Sequence, residues 1–240
     1  MISIVDYGMG NLKSMASAFA HLGVPCQTVR SGTEILKSDK LVLPGVGAFA
    51  KAMENIQSFG LVEPLNEFAL EKKRPVLGIC LGMQLLAEIG EEDGVTPGLG
   101  WVPGRVRRLT VPADLKVPHI GFNALSFPQH GARDALFEGL TEHPDFYFVH
   151  SYVLHAVETA HVTSFVNYGI SFAGSVRAGN ICGTQFHPEK SQGNGLRVLH
   201  NFASLQSPPG ASCLSSTNPT ASCRSSTPSA AKSSPWRRKP

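Results

Sequence analysis

Several signals that mark other protein classes are absent from this chain of 240 residues. No apolar run approaches the length of a transmembrane helix, so we expect no membrane-spanning segment. The first residues lead directly into a strand-like segment and lack the basic start and long apolar core of a signal peptide, which favours the cytoplasm. The five cysteines include no Cys-x-x-Cys pair, which argues against a disulfide scaffold and a zinc ribbon. The histidines lack the helical pairing of a zincin, and we expect no metal site.

Acidic residues are also absent from the last part of the chain. Residues 206–240 contain five of the 21 Lys and Arg residues, so the other 16 basic residues face all 18 Asp and Glu residues. The formal net charge of +3 therefore belongs to this basic stretch, and the rest of the chain offers little support for a nucleic-acid partner. Ser, Thr, Pro and Ala dominate the stretch. The composition predicts one domain at 1–205 and a disordered tail at 206–240.

Strand-like and helix-like segments alternate in the first half of the chain. We predict strands at 2–5, 24–29, 40–43 and 76–80, and helices at 12–22, 48–56, 61–73 and 83–88. Six strand-like runs follow at 104–109, 117–122, 146–149, 162–166, 171–176 and 181–185, before a closing helix at 193–205. This order predicts an α/β fold: an open, mostly parallel twisted sheet with helices on both faces, plus antiparallel hairpins. Ligands bind such sheets at the carboxyl ends of the strands.

The stretch from Pro75 to Gln84 has the pattern of a strand, a sharp turn and a helix, with Cys80 between Gly78 and Gly82. A nucleophile elbow needs small neighbours because its turn forces the nucleophile into a strained backbone conformation. It would present the thiol at the N-terminal end of a helix, which favours the thiolate. The motif alone leaves open that Cys80 is an ordinary buried apolar residue.

Two glycine-containing loops follow other predicted strands. Gly45 and Gly47 come directly after the third strand, where they make either a tight turn or a loop that directs backbone N–H groups at an anion. Gly8 and Gly10 follow the first strand and match part of a dinucleotide-binding fingerprint, but Lys13 replaces its third glycine. We therefore favour convergence of these loops with the elbow over a nucleotide site.

A second group of candidate residues follows the last predicted strand. Pro188 favours extended backbone at His187, and residues two apart in an extended chain point the same way. Glu189 would then orient the His187 imidazole, and with a cysteine nucleophile the set would form a Cys-His-Glu triad. The alternative, a His that caps the strand end and a solvated Glu, is less favoured because the same chain carries the elbow at Cys80.

These motifs resemble the class I, or triad, glutamine amidotransferases. The resemblance is carried by Gly78-Ile79-Cys80-Leu81-Gly82-Met83-Gln84 and His187-Pro188-Glu189. Within that family, further segments resemble the glutaminase subunits of imidazole glycerol phosphate synthase: Asp6 to Leu12, Pro44 to Phe49, Gly121 to Asn123, Phe148 to Tyr152 and Gln185 to Ser191. The match extends from Met1 to about Leu205. Phe122 departs from it, because that group typically has Trp there.

The resemblance implies hydrolysis of L-glutamine to glutamate and ammonia without a cofactor or metal. Cys80 would be the nucleophile, His187 the general base and acid, and Glu189 the residue that orients the imidazole. The implied oxyanion hole comprises Gly45, Val46, Gly47 and Leu81. The implied contacts to glutamine are Gln84, Glu92, His150, Ser151 and Tyr152.

The resemblance also implies a heterodimer with a (β/α)₈-barrel cyclase subunit. That partner would use the ammonia to make imidazole glycerol phosphate and aminoimidazole-carboxamide ribotide in histidine biosynthesis. Asn11, Phe122 and Lys190 are candidates for the interface. Neither a nucleic acid nor a membrane is an expected partner.

Three other functions stay open from the sequence. The chain could be a class I glutaminase that serves another synthase, since purine, pyrimidine, anthranilate and pyridoxal pathways use related domains. It could be a catalytically silent interaction module of the same fold, although all three triad residues are present. A cysteine peptidase-like hydrolase is the third, although no signal of an extended substrate groove supports it.

Overall fold

The computed structural model describes residues 1–129 and 133–206, so positions 207–240 of the expected tail lie outside the described residues. The strands are β1 (Ile2–Val5), β2 (Cys26–Val29), β3 (Lys40–Gly45), β4 (Val76–Cys80), β5 (Ala87–Gly90), β6 (Thr96–Pro97), β7 (Val102–Arg108), β8 (His119–Ser126), β9 (Asp145–His150), β10 (Tyr152–Ala156), β11 (Val162–Tyr168), β12 (Ile170–Ala178) and β13 (Ile181–Thr184). The α-helices are α1 (Leu12–His21), α2 (Gly32–Lys37), α3 (Phe49–Ser58), α4 (Val62–Asn66), α5 (Leu81–Gln84) and α6 (Gln192–Ser204). A π-helical turn (Glu67–Glu71) and 3₁₀ turns (Ala135–Phe137, Thr159–His161 and Pro188–Lys190) complete the list.

The main sheet has nine strands in the order β2-β1-β3-β4-β13-β12-β11-β8-β9. The five strands from β2 to β13 pair in parallel. From β13 onwards the pairs are antiparallel. The α/β prediction is confirmed, with the antiparallel strands extending one side of the parallel sheet.

The core lies on both faces of this sheet because successive strand residues point to opposite sides. In β3, Leu41 and Leu43 belong to the core cluster that includes the buried residues of α2, α3 and α4. Val42, between them, belongs to the cluster that includes the buried residues of α1 and α6. The expectation of helices on both faces is thus confirmed. Among residues 1–129 and 133–206, no helix has both the length and the apolar character needed to cross a bilayer.

A second sheet replaces part of what the sequence predicted as helix and loop. Its four strands have the order β10-β7-β5-β6. The predicted helix at 83–88 was therefore wrong beyond Gln84, because the chain leaves α5 and joins this sheet at Ala87. The backbone N–H groups of Trp101 and Val102 both donate to the carbonyl of Leu86 at this point. The hydrogen bonds between β5 and β7, which are distant in sequence, therefore stabilise a strand where the local apolar pattern favours a helix.

Two other differences have local causes. The predicted helix at 61–73 is divided into α4 and the π-helical turn, and it ends at Glu71. The short helix α2 was not predicted, although Ser31 and Glu34 form a capping box at its start, a signal readable as Ser-x-x-Glu. Its single buried residue, Ile35, makes the apolar pattern too weak to stand out.

Candidate active site

Cys80 occupies a sharp turn between β4 and α5. Its backbone has φ 53° and ψ −108°, in the left-handed range of φ that non-glycine residues rarely adopt. The flanking glycines allow this turn. A Cβ at Gly78 would lie 2.5 Å from the carbonyl oxygen of Gly82, and a Cβ at Gly82 would overlap the carbonyl oxygen of Leu43. The segment therefore has the geometry of an elbow, with the thiol at the carboxyl end of a central strand.

His187 and Glu189 are in contact, but not by the route that the sequence suggested. His187 follows β13 in extended backbone, whereas Glu189 lies in the 3₁₀ turn Pro188–Lys190. The prediction of a shared extended strand was wrong, because the chain turns at Pro188. The turn brings Oε1 of Glu189 to 2.8 Å from Nδ1 of His187. Both side chains are only 3% exposed.

Ser191 holds the backbone around His187. Its hydroxyl donates to the carbonyl of His187 across 2.6 Å and accepts from the backbone N–H of Tyr147 across 2.9 Å. The N–H of His187 in turn donates to the carbonyl of Tyr147, also across 2.9 Å. These bonds attach the turn to β9 and so place the imidazole against the elbow.

The two ring nitrogens of His187 have different surroundings. Its Nδ1 donates to a carboxylate, so the unprotonated nitrogen of the neutral ring is Nε2, which has no hydrogen-bond partner within the described residues. Burial lowers the pKa of His187, but interactions with Cys80 and Glu189 outweigh it and raise the pKa above its usual range. This arrangement favours the imidazolium form of His187.

A cavity of about 320 Å³ opens above the elbow. Its size is at the lower end of typical small-molecule sites, which span roughly 300–1,000 Å³. The lining brings together nine of the residues predicted from the sequence: Val46, Gly47, Cys80, Leu81, Gln84, Glu92, His150, Ser151 and Tyr152. Pro118 and Val149 complete it. Residues from separate segments of the chain thus meet at one edge of the sheet.

Gly45, a predicted oxyanion-hole residue, does not line the cavity. It ends β3 in register with Cys80, where a Cβ would lie 2.9 Å from that of Leu81. Beyond it, Val46 is 43% exposed and Gly47 has φ 109°. The two residues that reach the cavity are therefore the exposed and conformationally permissive part of the loop.

The predicted glutamine contacts differ in how they are held. Gln84 donates through Nε2 to the carbonyl of Tyr152 across 2.9 Å. Oε2 of Glu92 accepts from the backbone N–H of Phe49 at the start of α3, across 2.7 Å. This carboxylate compensates for the lack of a side-chain cap at that helix. Both side chains are thus oriented before any ligand arrives.

Two of the three predicted interface residues share one neighbour, Tyr147. The Phe122 ring, 51% exposed, meets the Tyr147 ring at a centroid distance of 5.7 Å. Nζ of Lys190 lies 5.7 Å from the centroid of the same ring. Asn11 lies apart from them, where its side chain accepts from the N–H of Ser14 and caps α1. Tyr147 is not among the residues predicted from the sequence, because its alternation within β9 is too ordinary a signal to single it out.

His119 and His150 form a buried pair beside the cavity. Nδ1 of His119 lies 3.1 Å from Nε2 of His150, and Nδ1 of His150 lies 3.0 Å from the carbonyl oxygen of Tyr152. A carbonyl only accepts, so His150 carries its proton on Nδ1, and its Nε2 accepts a hydrogen bond from the Nδ1–H of His119. Burial lowers the pKa of His119 to about 4. Burial, and then the neighbouring His119, lower the pKa of His150 to about 3.

Acid should therefore destabilise the fold through this pair. The unfolded chain takes up protons near the ordinary histidine pKa of 6.5, whereas the folded pair resists protonation down to about 4 and about 3. The contribution of this pair to the free energy of unfolding is therefore fully present above pH 6.5. It is lost as the pH falls towards 4, by up to about 1.4 kcal/mol per pH unit for each histidine. Urea unfolding measured across this range tests the prediction.

The matched variants are His119→Phe, which keeps an aromatic ring between Phe148 and Tyr168, and His200→Phe at an exposed position. His119→Phe should make the loss of stability with acid shallower. His200→Phe should leave it as in the wild type. Equal slopes in all three proteins would contradict the assignment.

Within the described residues, no three His, Cys, Asp or Glu side chains are grouped as a metal site would require. The loop that contains Gly8 and Gly10, which partly matches a dinucleotide-binding fingerprint, is hydrogen-bonded to other protein groups. Asp6 accepts from the N–H of Gly8 across 2.9 Å, and Asn55 donates to the carbonyl of Tyr7 across 3.0 Å.

Comparison with known proteins agrees with this geometry. Residues 3–204 match the family described as glutamine amidotransferase class-I. A protein of Moorella thermoacetica, imidazole glycerol phosphate synthase subunit HisH, is 50% identical over 204 residues, which cover 85% of this chain and 94% of that protein. The subunit HisH 1 of a Campylobacter jejuni strain is 44% identical over 205 residues, covering 85% and 100%.

Solved structures share the fold at lower identity. A glutamine amidotransferase crystal structure has a TM-score of 0.65 at 20% identity and covers 84% of this chain and 97% of its own. The glutaminase domain of a Trypanosoma brucei CTPS with bound acivicin has a TM-score of 0.57 at 15% identity, with coverage of 84% and 93%. At these identities the likeness shows the fold alone. On the family match and the far closer sequence relatives, the chain belongs to the class I glutamine amidotransferases, within the group of HisH glutaminase subunits of imidazole glycerol phosphate synthase.

Proposed function

We propose that this protein hydrolyses glutamine through Cys80, His187 and Glu189 and delivers the ammonia to a cyclase subunit. The observation that carries the proposal is the buried His187–Glu189 contact beside a strained elbow that presents Cys80 to a small cavity. Such a constellation supplies a nucleophile, its base and the group that orients the base.

In the proposed reaction, the proton of the Cys80 thiol passes to His187, which holds it as an imidazolium, and Sγ then attacks the side-chain amide carbon of glutamine. The tetrahedral intermediate collapses when the C–N bond breaks, and His187 returns the proton to the departing ammonia. The remaining γ-glutamyl thioester is hydrolysed by water, which restores the thiol and releases glutamate. Glu189 fixes the tautomer and stabilises the imidazolium throughout.

The lining of the cavity suits the two ends of glutamine. Both N–H bonds of the Gln84 amide are used, one towards the Tyr152 carbonyl and one towards the side chain of Gln185, so its Oε1 remains as an acceptor. The Glu92 carboxylate complements the α-ammonium group of the substrate. Burial keeps His150 neutral, so this residue adds no positive charge that would repel the α-ammonium group.

The oxyanion of the intermediate requires backbone donors. We infer that the N–H of Leu81 supplies one, because it follows the nucleophile at the start of a helix. The second would come from the Val46–Gly47 segment after a peptide rotation that the glycine permits. Tyr7 donates to the carbonyl of Pro44, which holds the loop on its other side and confines the rotation to its exposed part.

The partner is proposed from the subunit names of the relatives and from exposed apolar side chains on β8 and on the loop after β3. Ile120 and Phe122 are 59% and 51% exposed and lie two residues apart on β8, so they point the same way. Val46, which lines the cavity, is a third exposed apolar side chain at 43% exposure. A docked cyclase subunit would cover these side chains and accept the ammonia where it forms.

Reconstitution with the purified histidine-pathway cyclase and its ribotide substrate tests this proposal. Glutamine should support turnover in the complex, and the cyclase should raise glutaminase activity by about 10²-fold or more if docking completes the oxyanion hole. Synthases of the other glutamine-dependent pathways, tested in parallel, should give no stimulation. Binding without turnover would indicate a silent interaction module, and stimulation by a different synthase would reassign the pathway.

A further inference from the structure

A buried glutamine contacts the sulfur of Cys80. Gln185 follows β13, is completely buried, and donates through Nε2 to Sγ of Cys80 across 3.8 Å. It does not line the cavity above the elbow. Gln185 therefore touches no ligand in the cavity directly and can act on the chemistry only through its two neighbours, the sulfur of Cys80 and the side chain of Gln84.

A chain of hydrogen bonds fixes which end of the Gln185 amide faces the sulfur. The Tyr152 carbonyl only accepts, so the atom that Gln84 directs at it is Nε2. The same Nε2 lies 3.2 Å from the Gln185 side chain, which must present its oxygen there. The NH₂ end of Gln185 is consequently the end that faces Cys80, and the amide cannot reverse without losing a buried bond.

The surroundings of the sulfur distinguish its two protonation states. The backbone carbonyl oxygen of Val149 lies 3.9 Å from Sγ and is an acceptor, which suits a thiol S–H. The Gln185 amide is a donor, which suits a thiolate. Hydrogen bonds to the charged form of a group favour that form. Once the thiol proton has left, the Gln185 amide therefore stabilises the thiolate and offsets its repulsion by the Val149 carbonyl.

We propose that Gln185 is a positioning residue for the nucleophile: its amide holds Sγ of Cys80 in place and stabilises the thiolate. This rests on the proposed role of Cys80. The Gln185 contact joins residues 105 apart in sequence and connects the nucleophile to the side chain of Gln84 in the cavity wall.

Other titratable groups surround the sulfur and act in the wild type and in each variant alike. They are His187 and Glu189 in the Pro188–Lys190 turn, Tyr7 after β1, Glu92 after β5 and His150 at the end of β9. Burial raises the pKa of Tyr7 and lowers that of His150, so both are neutral near pH 7. His187 supplies a positive charge near the sulfur, and Gln185 supplies a neutral hydrogen-bond donor in addition.

The test is the pH dependence of Cys80 alkylation by iodoacetamide in the full chain, followed on the Cys80 peptide by mass spectrometry because the chain has five cysteines. In Gln185→Met, which keeps the bulk and removes the donor, the midpoint should rise by about one pH unit. If the glutaminase function also holds, kcat below the midpoint should fall about tenfold, because a smaller fraction of Cys80 is ionised at a given pH.

Thr184→Val is the matched control. It removes the buried hydrogen bond from Oγ1 of Thr184 to the carbonyl of Phe186, on the residue next to Gln185, without touching the sulfur. Its alkylation midpoint should stay at the wild-type value even if the protein becomes less stable. A wild-type midpoint in folded Gln185→Met would overturn the proposal. Alkylation needs no glutamine turnover, so this result is separate from any failure of the proposed function.

A measurement on the wild type covers the case in which Gln185→Met does not fold. In ¹⁵N-labelled protein, the side-chain NH₂ resonances of Gln185 should shift with the same midpoint as Cys80 alkylation. The shift should disappear in Cys80→Ser, whose hydroxyl does not ionise in this range. Gln185 resonances that are indifferent to the thiol titration would contradict the inference.

Discussion

Cys80→Ala should abolish glutamine hydrolysis. The substitution removes the attacking sulfur and leaves the His187–Glu189 contact and the cavity lining in place, so the loss falls on the chemical step. Removing the nucleophile of comparable triads lowers the rate by about 10⁴-fold or more, and we expect a fall of that size in kcat. A coupled glutamate assay on the reconstituted complex would measure it.

Two controls separate this loss from unfolding. Cys182→Ala alters a different cysteine, one that is fully buried in β13, and should retain glutaminase activity. The complex that contains Cys80→Ala should still use added ammonium salts, because the cyclase reaction needs only ammonia. Wild-type glutaminase activity in Cys80→Ala would refute the proposed mechanism.

Gly82→Ala should be the most damaging conservative substitution at the elbow. A methyl group there would overlap the carbonyl oxygen of Leu43 in the neighbouring strand, and backbone atoms have nowhere to move in a sheet buried on both faces. Overpacking usually costs about 1–3 kcal/mol, and we expect Gly82→Ala to lower the free energy of unfolding by at least about 3 kcal/mol. Urea unfolding followed by circular dichroism would measure the change.

Gly193→Ala provides the comparison. Gly193 lies near the start of α6, and a Cβ there would meet no heavy atom within 4 Å. Alanine has the higher helix propensity, so this variant should be neutral or more stable by up to about 1 kcal/mol. Equal unfolding free energies for Gly82→Ala and the wild type would show that the elbow is looser than its close contacts indicate.

Local patterns were sufficient for the features that depend on neighbours in sequence. The alternation of apolar segments predicted the parallel strands, and Gly78 and Gly82 around Cys80 predicted the turn. His187 and Glu189 were expected to meet because they are only two residues apart, although the turn at Pro188, rather than an extended strand, joins them.

Features that depend on distant partners were beyond such patterns. The segment after Gln84 has a helical sequence, yet it pairs in a sheet because backbone groups of Trp101 and Val102 meet it there. Tyr147 gained its position between Phe122 and Lys190 only when β8 and β9 paired. The backbone hydrogen bonds of a strand are made to another segment of the chain, so the residues of the strand alone do not predict which segment that is.

The sequence by itself therefore determined the family, the α/β class, the elbow at Cys80 and the identity of most residues around the cavity. Only the tertiary structure decided the second sheet, the cap that Glu92 provides for α3, the His119–His150 pair and the approach of Gln185 to the sulfur. Each of these joins side chains or strands that are far apart in the chain. Their energy comes from burial and hydrogen bonding between segments, and these terms take effect only when the whole chain has packed.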